Sequence, residues 1–171
     1  MSQQSTLKSG IASQNALKIA QDICTEGITL TAQGLRDEAL LKYNAVIAQF
    51  GLRRKIEFTQ VLTTAMYNKG VVLGTLERSE EAIAAYDVLI NRFAKSTELV
   101  LALSVARAMR NKAYRLNALG QSDKSIATYE AMIAQFGKSV EPQIEAAVAP
   151  VKAFLAERQV VLDTREQATR A

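Results

Sequence analysis

The chain has 171 residues, enough for about one domain with a sizeable core, and its 49% hydrophobic and 22% charged residues favour neither intrinsic disorder nor a membrane-embedded class. The formal charge of +4 comes from 21 basic and 17 acidic residues mixed along the chain, without the one-sided clustering of a nucleic-acid footprint. With no histidine and one cysteine, Cys24, the sequence excludes intrachain disulfides, Cys/His zinc sites, CxxC redox chemistry and Ser-His or Cys-His nucleophile pairs.

Two prolines and eight glycines interrupt a sequence rich in Ala, Leu, Gln, Glu and Arg, which predicts an all-α fold. The opening MSQQSTLKSG lacks the apolar core of a secretory leader, and nothing approaches the roughly 18 apolar residues of a membrane span. A cytoplasmic protein is expected, with residues 1–11 as a flexible tail.

From residue 12 the sequence repeats itself every 43 positions, aligning Tyr43, Tyr86 and Tyr129; Phe50, Phe93 and Phe136; Ile47, Ile90 and Ile133; and Leu30, Leu73 and Leu116. Small residues recur too, at Gly27, Gly70 and Ala113 and at Ala39, Ala82 and Ser125. Ile19, Ile23, Gly27 and Leu30 have the four-four-three spacing of one helix face, as do Leu62, Met66, Gly70 and Leu73, and Val105, Met109, Ala113 and Leu116. Each copy therefore opens with a helix.

Breaks follow at Gly34, Glu77-Arg78 and Gly120, where glycine can adopt the left-handed conformation that closes a helix. Ser79 and Ser122 are expected to cap a second helix, with Glu80, Glu81 and Asp123 in its first turn. That helix carries Ala82, Ile83, Tyr86, Leu89, Ile90 and Phe93 and ends at Phe50-Gly51, Phe93-Ala94 or Phe136-Gly137, after which Ser96 and Ser139 can cap the next element. The Arg53-Arg54-Lys55 run between copies reads as a solvated turn.

Three αα-hairpins are predicted, over about 12–51, 55–94 and 97–137, with a capping helix over about 140–166 and a tail at 167–171. Pro142 fits an early turn of that last helix, whereas Pro150 should kink or break it.

These residues resemble the tetratricopeptide repeat, whose pattern is W-x2-L-G-x2-Y followed by A-x3-F and a late Pro. Met66, Lys69, Gly70, Leu73, Ala82, Tyr86 and Ala94 stand in those places in the middle copy; Ile23, Glu26, Gly27, Leu30, Ala39 and Tyr43, and Met109, Lys112, Ala113, Leu116, Ser125 and Tyr129, stand there in the outer two. There is no Trp, charged residues fill the first Leu place, and the period is 43 rather than 34, which looks like a long-repeat bacterial-type variant. The excess falls around LRRKIEFTQ and would lengthen the first helix by about two turns.

The resemblance implies an alpha-alpha superhelix of three such repeats plus the capping helix, with a concave groove lined by the first helices. By position the groove would present Gln21, Cys24, Thr25 and Ile28, then Thr64, Tyr67, Asn68 and Val71, then Arg107, Arg110, Asn111 and Tyr114. The last four share a helix face by their own spacing, and Arg can grip a carboxylate while Asn can hold a peptide backbone. A clamp used by some family members for a carboxylate tail is matched at Asn68 and Arg107 but not at Cys24, Ile28 or Asn111.

The expected function is a non-catalytic adaptor or scaffold for a peptide or protein partner, such as an acidic or C-terminal segment, without nucleic acid, metal or cofactor. A self-associating structural module, hence a homo-oligomer, is the alternative. Carboxylates are available at Glu80, Glu81, Glu141 and Glu145, but no phosphate loop or metal-ligand spacing accompanies them, so no enzyme is expected.

Overall fold

The computed structural model describes residues 3–53 and 56–170. Every regular element among them is a helix: α1 (Gln3–Ala32), α2 (Arg36–Phe50), α3 (Ile56–Thr75), α4 (Ser79–Phe93), α5 (Leu99–Ala118), α6 (Ser122–Phe136) and α7 (Pro142–Arg170). The chain forms two compact units, Met1–Leu89 and Ile90–Ala171, divided within α4. In the first, α1 packs on α2 and α3 packs on both; in the second, α5 packs on α6 and α7 packs on both. The described residues thus form the predicted helix pairs and final helix.

The first helices α3 and α5 have 20 residues each, the second helices α2, α4 and α6 have 15 each, so the long repeat spends its extra residues in the first helix. At the chain's ends the helices exceed their expected limits. α1 starts at Gln3, inside the segment read as a tail, and α7 runs past 166 to Arg170.

All three intra-hairpin turns are built alike. The amides of Leu35, Arg78 and Gln121 donate to the carbonyls of Leu30, Leu73 and Leu116 at 2.9, 3.0 and 2.9 Å, and those of Gly34, Glu77 and Gly120 donate to Thr31, Gly74 and Asn117. These paired bonds are the Schellman closure, which needs a left-handed residue. Gly34, Glu77 and Gly120 supply it with φ of 80°, 61° and 73°, so the middle copy uses a glutamate where the others use glycine.

The turn is so tight that Arg78 and Gln121 also precede the next helix directly, which corrects the expected caps. Ser79 and Ser122 are the first helical residues, and the N-cap Gln121 makes no side-chain cap bond. Between copies the prediction fares better: Ser96 and Ser139 Oγ accept the amides of Glu98 and Glu141, just before α5 and α7 begin.

The hairpins are held by a tyrosine seated on the first helix. Tyr43 and Tyr86 are fully buried, and a Cβ added to Gly27 would lie 2.8 Å from Tyr43 Cε1, while one on Gly70 would lie 2.7 Å from Tyr86 Cζ. Only glycine lets the ring approach the backbone so closely. In the third copy Ala113 carries a methyl at that place and Tyr129 is half-buried. Ser125, the polar member of the small-residue column, is buried with its hydroxyl donating to Ala113 O at 2.8 Å.

Polar substitutions finish the outward faces. On α3 the buried Phe58, Ala65 and Val72 are matched one period earlier on α1 by exposed Asn15, Asp22 and Thr29. On α7 exposed Lys152 and Gln159 stand one period after the buried Met109 and Leu116. At these positions polar side chains meet water where the inner copies bury apolar ones. Ile19 departs from the predicted stripe: it is 51% exposed while Ala20 beside it is buried, whereas its counterpart Leu62 is buried on α3, which has α1 and α2 against it.

Pro142 is the first residue of α7, as expected, but Pro150 does not break the helix. Its ring and the Ala146 carbonyl that loses an amide partner both lie on the exposed face, where water can take the bond. Because the turns require a left-handed residue, Gly120→Ala is expected to cost about 1 kcal/mol in urea denaturation; an unchanged midpoint would contradict the turn assignment.

Candidate functional site

In the first unit, Tyr67, Asn68 and Val71 lie on α3 and are all half-buried. Tyr67 tilts against Tyr86 with ring centroids 6.3 Å apart. Asn68 lies within hydrogen-bonding reach of the Tyr43 hydroxyl, which also meets Thr31 Oγ at 3.0 Å. Burial pushes the Tyr43 phenol above its ordinary pKa, and the Thr31 and Asn68 bonds oppose that shift. Asn68 therefore has a structural task, joining α3 to the preceding hairpin.

Cys24 is 5% exposed, beside Tyr43, and burial raises its thiol to about 11. It is not on an accessible face, in contrast to exposed Gln21, Thr25 and Ile28 along the same helix. Lys69, in the family's Leu place, is half-buried and borders a hollow of about 120 Å³ lined by Ile47, Met66, Ala85 and Val88. Its methylene stem lends the apolar contact while the ammonium reaches water.

In the second unit, α5 presents Arg107 exposed, Arg110 and Asn111 half-buried and Tyr114 at 60% exposure. Among the described residues neither Arg107 nor Arg110 forms an ion pair. The Arg115 guanidinium stands 5.0 Å from the Tyr114 ring centroid. Tyr129 on α6 is near both Arg110 and Tyr114: burial is the main cause that raises its phenol, Arg110 lowers it and Tyr114 raises it.

Phe154 of α7 meets Tyr129 edge to face, centroids 5.6 Å apart, and is 48% exposed. The sequence reading missed both residues as site candidates. Carrying the period one step beyond Asn111 finds Phe154, and the same column holds Asn68. Asn68 meets the tyrosine of the preceding hairpin by a hydrogen bond, Phe154 by its ring.

Residues 64–96 match the family described as Tetratricopeptide repeat. Within that stretch the chain is similar to one tetratricopeptide repeat. The matched stretch begins inside α3, leaving the start of that helix outside the repeat's usual length. It includes Gly70, Ala82 and Tyr86, the tyrosine seat itself. No curated protein matches the chain.

Of the carboxylates considered for chemistry, Glu80 and Glu81 lie in the first turn of α4 and Glu145 in the first turn of α7. Glu81 is held by Arg78, with Nε–Oε1 and Nη2–Oε2 distances of 2.6 Å, and its carboxyl lies below the usual range because of that bond. No group of three His, Cys, Asp or Glu that could hold a metal occurs among the described residues. No described helix is long and apolar enough to cross a membrane. Arg53 stacks over Phe58 at 5.4 Å from its centroid; Arg54 and Lys55 fall outside the described residues.

A thiol raised to about 11 has little thiolate at pH 8, so native Cys24 should react with iodoacetamide at least about tenfold more slowly than in the urea-unfolded chain. Equal rates would show an accessible thiol.

Proposed function

We propose that the chain is a non-catalytic interaction module that holds a peptide or protein segment on the exposed faces of its first helices, with Arg107 and Arg110 receiving acidic groups. Tetratricopeptide repeats are helical modules of protein–protein interaction, and residues 64–96 are similar to one. The observation that supports the acidic preference is the pair of arginines on α5, one turn apart, beside exposed Tyr114 and without an ion pair among the described residues.

Arginine binds carboxylate with two parallel donors, and a guanidinium not already engaged has no internal partner to surrender. Asn111 belongs to this reading as a flanking contact on α5; Tyr67, Asn68 and Val71 on α3 are proposed by themselves as the contact face of the first unit. Because Asn68 also meets Tyr43, its loss should affect stability as well as binding. The single buried thiol suits a reducing, cytoplasmic setting.

A self-associating module is the second reading, favoured by Val160 and Val161, 65% and 50% exposed on α7. Molecular mass measured at several concentrations separates the two. For the first reading, Arg110→Glu is expected to abolish retention of acidic peptides while far-UV circular dichroism stays unchanged; undiminished retention would overturn it.

A further inference from the structure

We infer that Tyr114, Tyr129 and Phe154 form an anchor site for one bulky apolar side chain of an acidic peptide whose carboxylates meet Arg107 and Arg110. This rests on the peptide-binding reading above and specifies its ligand. All five residues belong to the second unit, on α5, α6 and α7.

Two of the three rings are in contact. Phe154 touches the half-buried Tyr129 edge to face at 5.6 Å, yet nearly half of its surface remains open. Tyr114 is more open still, and Arg115 stands over its ring. An edge-to-face pair with a free flank offers a slot for a third ring or a branched aliphatic chain. Exposed aromatic surface gathered beside unpaired cations marks an interaction site more readily than a fold requirement.

The register adds a second argument. At the corresponding place on α3, Asn68 meets the tyrosine of the preceding hairpin with a polar group. On α7 that place is Phe154, which cannot satisfy a hydroxyl but offers an apolar surface. Val161, seven residues on and half-exposed, extends the same apolar stripe along α7.

Charge selects the occupant. Arg107 and Arg110 lie one turn apart on α5 with no carboxylate paired to them among the described residues, which fits an anionic partner. A second copy docked through this patch about a two-fold axis would bring the same arginines toward each other. Nucleic acid would need a broader basic surface than two arginines on a chain of mixed charge.

The test uses fluorescently labelled twelve-residue peptides rich in Asp and Glu, in pools that walk one Phe through every position, matched pools with Ser in its place, and pools with the acids amidated. Wild type should bind the best acidic Phe pool at least about tenfold more tightly than its Ser counterpart, and the amidated pools should not bind. Phe154→Ser should erase the Phe preference while keeping the acid requirement, and Phe154→Leu should retain most of it, with helix content unchanged in both. Arg110→Glu should lose the acidic pools altogether.

Equal binding of Phe and Ser pools would overturn the anchor and leave the acidic-peptide reading intact. Absence of binding to any acidic pool would overturn both. Tighter binding of labelled oligo-dT than of every peptide, or a wild-type dimer that Phe154→Ser converts to monomer, would also overturn the anchor.

Discussion

The structure depends on how close a tyrosine ring can come to the backbone of a neighbouring helix. Gly27 and Gly70 lack the Cβ that would collide with Tyr43 and Tyr86, and both rings are fully buried as a result. A ring of that size makes dozens of weak contacts, so one seat fixes the approach and the angle of two helices together. The Schellman turn a few residues later then returns the chain at the right register, and Ala39 and Ala82 leave room for the close crossing.

The candidate site grows out of the same arrangement where it is relaxed. Ala113 puts a methyl where the glycines have none, and the final helix α7 brings Phe154 rather than asparagine to the tyrosine. Tyr129 is left half-buried with an aromatic neighbour and Arg110 nearby. A position that serves packing in the first hairpin thus becomes surface in the last, without any change in the repeat's register.

Much of this was legible before any coordinates. The recurring Tyr, Phe, Leu and small residues define the period, and the turns at Gly34, Glu77 and Gly120 follow from it because helix closure has a strict backbone requirement. Less legible were features that depend on what lies next to a residue. Ser79 and Ser122 are good capping types, but the turn is one residue too tight for them to cap. Pro150 breaks a helix by propensity, yet its free carbonyl at Ala146 faces solvent and α7 continues. Asn68 looked like a ligand contact, and only the neighbouring Tyr43 hydroxyl reveals its second task. Phe154 could have been found by extending the repeat into the capping helix, where the change from Asn to Phe alters the chemistry of the column.

The seat of tyrosine on glycine is therefore the claim on which the rest stands, and a double-mutant cycle over Gly70 and Tyr86 tests it most directly. Gly70→Ala alone should destabilise by about 1 to 3 kcal/mol, because the new methyl meets the ring. In a Tyr86→Leu background, where that ring is gone, the same change should cost at least about 1 kcal/mol less. Additive losses measured by chemical denaturation would mean that the two residues do not confront each other, and would contradict the account.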